Sequence, residues 1–286
     1  MTTRLSPARI FRSARNLLLC ALPVLGLAGC AVHQVSSKGE LSQAVADARS
    51  VVVANENGSV ELVRDPAATT MQIAAEIRCS AETTEQAEAR VKAAKLVAER
   101  DAGGKVRIAV EFPQREQMYF GGSGDSANIV IRAANLDGVE VSTSNGGITV
   151  GSFAGSAKLA TSNGAIKLRD FAGPVDARSS NGAIVASGVL APVVADTSNG
   201  RIEIALAPHA QGDLELVTSN GSVELELGGS WQGTVTADTS NGKVVLSGGD
   251  VVAKDGSTTM TIGDAAKAKA TIDTSNGRIT VRAAKK

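Results

Sequence analysis

Apolar and polar residues alternate in short runs through the second half of the chain, and the runs repeat. Aligned on a recurring Ser-Asn-Gly, with asparagines at Asn145, Asn163, Asn181, Asn199, Asn220, Asn241 and Asn276, each copy carries the same columns. The intervals are 18, 18, 18, 21, 21 and 35 residues. Four places before the asparagine stand Val141, Leu159, Ala177, Ala195, Leu216, Ala237 and Ile272. Two places before it stand Thr143, Thr161, Ser179, Thr197, Thr218, Thr239 and Thr274. Three places after it stand Ile148, Ile166, Ile184, Ile202, Val223, Val244 and Ile279, with largely polar residues next to them. Period-two alternation on both sides of a turn predicts two short strands per copy, one face inward and one outward. A fixed period near 20 residues predicts that one supersecondary unit was copied and stacked.

Asn-Gly between alternating strands is also a strong hairpin signal, so an antiparallel meander competes with stacked coils. Identity that repeats in register favours stacking, since each buried residue then meets its own counterpart. Columns of Thr and Asn would form ladders of hydrogen-bonding side chains from coil to coil. The expected fold class is all-β: a parallel β-helix-like β-solenoid of about eight coils of 18–21 residues, residues 136–286. The 35-residue interval is expected to hide a degenerate coil, with Asp255-Gly256 replacing Asn-Gly.

Upstream the pattern is mixed. Val51–Ala54, Asn57-Gly58 and Val60–Val63 read as strand, tight turn, strand. Met71–Cys79 alternates as a further strand, and Thr83 or Thr84 opens a helix whose face carries Ala87, Val91, Ala94 and Ala98. Gly103-Gly104 is expected to stop it, and Lys105–Phe112 and Asn128–Ala133 are strands again, with a glycine-rich loop at 119–126 between them. This segment, residues 51–135, is the expected α/β cap of the open end. Residues 31–50, polar around Ser36-Ser37-Lys38-Gly39, read as part of a tether spanning 30–50.

The first 29 residues read as a processing segment. Arg4, Arg9, Arg12 and Arg15 form a basic stretch, and Leu17–Leu27 is an apolar run too short to span a bilayer. It ends in Leu27-Ala28-Gly29-Cys30, the pattern of a bacterial lipobox, which makes Cys30 the acylated residue and membrane attachment the expected partner. Ala31 stands where aspartate would favour inner-membrane retention, so outer-membrane localisation is expected. Removing residues 1–29 takes away four arginines and leaves 25 basic against 29 acidic residues, a net charge of −4. That balance argues against nucleic acid as a partner. Cys79 is then the one thiol besides Cys30, and it reads as a small buried hydrophobe. Aromatics are 2% of the chain, which suits a thin aliphatic core.

The repeated Thr-Ser-Asn-Gly-x-Ile-x-Val, as in Thr143-Ser144-Asn145-Gly146-Gly147-Ile148-Thr149-Val150, resembles the bacterial putative-adhesin β-solenoid family. The strand-helix-strand segment around Glu82–Glu111 adds to that resemblance. It implies a β-solenoid at the cell envelope and brings no catalytic residues with it.

Candidate chemistry is sparse. The seven repeat asparagines are read as a structural turn ladder, with Asn chosen for left-handed backbone tolerance and Gly for lacking a side chain. Asp196, Asp238 and Asp273 lie on the outward parity, three places before an asparagine. Paired carboxylates there could act on polysaccharide. Asp196 and Asp238, however, are expected two units and about 10 Å apart, with Val217 between, and read as solvated surface acids. His33 and His209 are isolated, so no metal and no cofactor are expected. The expected function is a lipid-anchored, non-enzymatic binding or adhesin-like scaffold for a glycan or protein ligand. The alternatives are a polysaccharide-acting enzyme on the same fold, or an envelope sensor.

Overall fold

The computed structural model describes residues 35–114, 124–190, 192–254 and 257–284. Gln34–Lys286 form one compact unit. In chain order its first part holds β1 (Val35–Val45), β2 (Ser50–Asn57), β3 (Val60–Arg64), β4 (Met71–Ala81), α1 (Thr84–Ala93), β5 (Lys95–Arg100), β6 (Lys105–Glu111) and β7 (Ser126–Ala133). The repeats follow as β8 (Gly138–Asn145), β9 (Ile148–Gly151), β10 (Ser156–Thr161), β11 (Ile166–Arg169), β12 (Val175–Ser179), β13 (Ile184–Val189), β14 (Val193–Thr197), β15 (Ile202–Leu206), β16 (Leu214–Thr218) and β17 (Val223–Leu227). The last part holds β18 (Gly233–Thr239), β19 (Lys243–Ser247), β20 (Asp250–Lys254), β21 (Ser257–Ile262), β22 (Lys269–Thr274) and β23 (Arg278–Ala283).

Among the described residues the fold is all-β apart from one helix, built as two large mixed sheets of 11 and 12 strands. Each Ser-Asn-Gly carries the chain from the 12-stranded sheet to the 11-stranded one, and a second turn carries it back. Each copy therefore contributes one strand to each sheet, a rung, and consecutive copies run parallel. The pairing is column on column: Leu159 lies between Val141 and Ala177, and Ile166 lies between Ile148 and Ile184.

The alternation explains the core. Ile148, Ile166, Ile184 and Ile279 are fully buried, as are Leu216 and Ile272 from the facing sheet. Phe153 and Phe171 fill the second turn of two early copies, and Trp231 does so further on, donating its indole N–H to the Gly212 carbonyl at 3.1 Å. Burying aliphatic stripes from two sheets against each other is the dominant favourable term in such a stack.

The two ends depart from chain order. The stacking order of rungs is β6/β7, β2/β3, β8/β9, β10/β11, β12/β13, β14/β15, β16/β17, β22/β23 and β18/β19. The last copy in sequence thus lies between the two copies before it. At the other end β2/β3 lies between β6/β7 and the repeats. Antiparallel strands finish each end: β1 and β4 beside β7, β5 beside β6, and the β20–β21 hairpin beside β18.

Several sequence expectations change here. Residues 35–45, read as tether, form β1 and pair along their whole length with β4, from Val35 opposite Ala81 to Val45 opposite Met71. Its polar composition is that of an edge strand with one half-buried face. Asn57-Gly58 closes no hairpin, because β2 and β3 sit in different sheets and form a rung. The boundary expected at residue 135 therefore does not divide the sheets. The helix ends at Ala93, since Lys95–Arg100 pairs with β6 instead of continuing it, and Gly103-Gly104 turns β5 into β6. Thr83 caps the helix with a reciprocal Gln86 contact, and α1 packs on β1 and β4. In the 35-residue interval the chain makes the antiparallel β20–β21 hairpin and no further rung; Asp255-Gly256 lie outside the described residues.

Candidate functional site

At the Asn corner three hydrogen-bond chains run from rung to rung. The Asn side chains form the outer one. Asn145 Nδ2 donates to Asn57 Oδ1, and Asn163, Asn181, Asn199, Asn220, Asn276 and Asn241 each donate to the preceding asparagine in the stack, all at 2.8–3.0 Å. The ladder follows the stacking order, so Asn276 precedes Asn241. From Asn163 onward, each Asn backbone N–H donates to the serine carbonyl of the rung before it at 2.8–3.0 Å. Inside the corner the Thr143, Thr161, Ser179, Thr197, Thr218, Thr274 and Thr239 hydroxyls donate to the carbonyl of the preceding corner glycine at 3.0–3.4 Å.

This geometry revises why the dipeptide is Asn-Gly. The repeat asparagines and their glycines do not adopt positive φ. The glycines are required by close approach: a Cβ on Gly164 would lie 1.8 Å from the Gly146 carbonyl oxygen, and one on Gly182 would lie 1.6 Å from that of Gly164. Gly58, at the first corner, combines φ +113° with a Cβ position 2.2 Å from the Ala127 carbonyl oxygen. Asparagine is there because its primary amide can both donate and accept along a stack.

Beside the ladder runs a parallel line of exposed serines, Ser144, Ser162, Ser180, Ser198, Ser219, Ser275 and Ser240. Where early rungs meet, a shallow groove of about 270 Å³ lies between corner and sheet, lined by Asn55, Ser142, Ser162, Ala160, Arg178 and Ser180 among others. The Arg178 guanidinium donates to Asp176 at 2.8 Å and is held firmly in its charged form by that bond. Hydroxyls, amides and one guanidinium over an alanine floor can hydrogen-bond a polyhydroxyl or peptide ligand from one side.

The acidic residues fall elsewhere than expected. Because β22 inserts between β16 and β18, Asp238 lies directly opposite Asp273, and Val217 separates Asp273 from Asp196. Asp196 and Asp238 are thus three strands apart, while Asp238 and Asp273 are neighbours about 4.8 Å apart along the stack. Partial burial, then the Asp238 and Glu215 charges, push the Asp273 carboxyl above its ordinary value. Sequence spacing could not bring this pair together, because it counts copies in chain order.

A part-buried ion pair at the capped end had no sequence signal at all. Arg90 on α1 donates to the Asp125 carboxylate and to the Gln114 carbonyl, with the two paired side chains 13% and 11% exposed. Asp125 also accepts from the Ser80 backbone N–H at 3.2 Å, and its carbonyl accepts from Asn57 Nδ2 at 3.1 Å. The helix, the end of β4 and the first ladder member are thereby tied together. Among the described residues no group of three or more His, Cys, Asp or Glu could hold a metal ion. His209 sits exposed in a turn, Cys79 is buried, and Cys30 and His33 lie outside the described residues.

No family model matches the chain, and no curated protein matches it. Solved structures similar to it include a putative adhesin from Bacteroides fragilis, at 10% identity and TM-score 0.48, covering 86% of this chain and 97% of that one. A putative cell adhesion protein from Clostridium sporogenes is similar at 11% identity and TM-score 0.38, covering 87% and 100%. A putative lipid binding protein from Parabacteroides distasonis is similar at 14% identity and TM-score 0.35, covering 86% and 97%.

Proposed function

We propose that the chain is a lipid-anchored β-solenoid of the bacterial outer membrane that binds an extended ligand without turning it over. The observation that carries this reading is the Ser-Asn corner, where the same exposed hydroxyl and amide recur from rung to rung in one line beside the Arg178 groove. A polymer with its own repeat, such as an envelope or matrix glycan, can engage such a line at several points, so weak contacts add up through multivalency. Cys30, which precedes β1 in the chain, carries the lipid. Several acyl chains on one cysteine hold a protein firmly where a single chain would not.

Glycan-array screening of the purified protein against envelope and matrix polysaccharides tests the binding claim. Ser162→Trp, which fills the groove from an exposed position, is expected to weaken any hit at least tenfold, roughly 1.4 kcal/mol. Binding unchanged by that variant would remove the corner from the argument. Labelled palmitate is expected in the wild type and not in Cys30→Ser; equal label in both ends the anchor claim.

A second reading, a polysaccharide-acting enzyme, draws on a different observation, the neighbouring Asp238 and Asp273 with Asp273 raised. A pair of neighbouring carboxyl groups is what acid–base chemistry on glycosidic bonds uses. Glycan turnover abolished in Asp273→Asn would replace the binding reading with this one.

A further inference from the structure

Each rung of the ladder is an Asn-Gly dipeptide, the pairing most open to self-modification, because glycine neither shields its backbone nitrogen nor restricts rotation about it. In that reaction the glycine nitrogen attacks the asparagine Cγ. The N–Cγ bond forms, the Cγ–Nδ2 bond breaks, and the attacking nitrogen's proton leaves with the amide as ammonia. Water then opens the cyclic imide at either carbonyl, giving aspartate or isoaspartate. The net change is one water taken up and one ammonia released, with no oxidation or reduction.

We propose that the ladder sets the order of this modification in the folded protein, and that it begins at Asn241. Attack on Cγ requires the side-chain amide to leave its ladder position and turn towards the following nitrogen. Asn145, Asn163, Asn181, Asn199, Asn220 and Asn276 are each held twice, donating through Nδ2 and accepting through Oδ1. Asn57 is also held twice, accepting from Asn145 and donating to the Asp125 carbonyl. Asn241 ends the ladder. It donates to Asn276 at 3.0 Å, and among the described residues its own Oδ1 accepts no hydrogen bond. Asn241 and Gly242 are both exposed, and β19, which follows them, is the edge strand of the 11-stranded sheet.

The product matters for the stack. A carboxylate at position 241 loses the amide N–H that meets Asn276, and the isoaspartate form lengthens the backbone by one carbon. That extra atom falls between β18 and β19, two strands that pair residue for residue with β22 and β23. The modification therefore loosens the last rung and places one more negative charge at that end of the corner.

The test is peptide mapping by mass spectrometry, with isoaspartate resolved, of folded full-length protein aged in mildly alkaline buffer. Asn241 is expected to convert roughly threefold to tenfold faster than Asn181, the factor that one net hydrogen bond supplies. In denaturant the Asn-Gly sites should converge on similar rates. Asn276→Ser, which removes the donor to Asn220 Oδ1, should raise conversion at Asn220. Equal rates at Asn241 and Asn181 in the folded chain would overturn the proposal. So would a preference for Asn241 that persists in denaturant, since local sequence would then explain it.

Discussion

The middle of the stack and its capped N-terminal end are held by different means. From β8 to β17, rungs follow chain order and each inward strand residue sits between counterparts of its own column, so one set of contacts is reused. At the capped end the strands turn antiparallel, a helix packs on β1 and β4, and the part-buried Arg90–Asp125 pair joins segments with no counterpart in the repeats. Repetition solves the problem of neighbours and leaves the problem of ends. An end has to be built from unique residues, which makes single contacts there harder to replace.

The sharpest test of that contrast is a pair of arginines. Arg90→Ala removes a charge-assisted contact between the helix and the mostly covered Asp125 carboxylate, and a hydrogen bond to a charged group contributes about 1.5–3 kcal/mol. Arg178→Ala removes an exposed guanidinium paired to an exposed Asp176, and is expected to cost under about 1 kcal/mol. Denaturant melts of both variants would measure the difference. Equal losses would show that the end is no more dependent on single contacts than the middle.

Glycines give the next largest effect and probe the middle itself. Gly182→Ala puts a methyl 1.6 Å from the Gly164 carbonyl oxygen, whereas nothing lies within 4 Å of the Cβ position at Gly229. The first is expected to lower stability by about 1–3 kcal/mol or more through overpacking between rungs, and Gly229→Ala to be close to neutral. If Gly182→Ala melted like the wild type, corner stacking would not be what demands glycine.

The smallest effect is electrostatic. Asp273 has a raised carboxyl pKa from burial and the neighbouring Asp238 and Glu215 charges, so the folded state holds its proton to higher pH than the unfolded chain does. Its charged form therefore costs stability at neutral pH, and that cost disappears as pH falls through the folded value towards the ordinary 3.8. Asp273→Asn should raise the melting temperature slightly at neutral pH, by less than about 1 kcal/mol, and leave it unchanged in acid. A gain that persists below the ordinary carboxylate range would refute the electrostatic cause.

What could be read from residues alone divides along the same line. The strand pattern of the middle was legible because every copy repeats Ser-Asn-Gly with Thr or Ser before it and Ile or Val three places after the asparagine, so Ile166 announces that it packs on Ile148 and Ile184. The same uniformity hides the order of rungs near the ends, since Ile272 matches Leu216 and Ala237 equally well as a neighbour. Asp238 and Asp273 looked distant for that reason. Asn57 belongs to the ladder but stands 88 residues before the asparagine it meets, without the threonine or serine two places earlier that marks the others. Strand β1 was missed because an edge strand buries only part of one face, and Arg90 with Asp125 because no periodicity links a helix to a distant turn.

The inserted position of Lys269–Ala283 has a consequence for how the molecule is made. On the ribosome, the segment that completes the interior emerges after the pieces that enclose it, so a nascent chain must keep β18 and β19 apart from β16 and β17 or release them later. Their matching side chains would allow a premature closure in which nothing clashes. The β20–β21 hairpin bears on that error: it occupies the outer edge of β18, so β22 can pair with β18 only at the edge that faces β16. A hairpin that interrupts the repeat in sequence thus directs β22 to the inside of the stack.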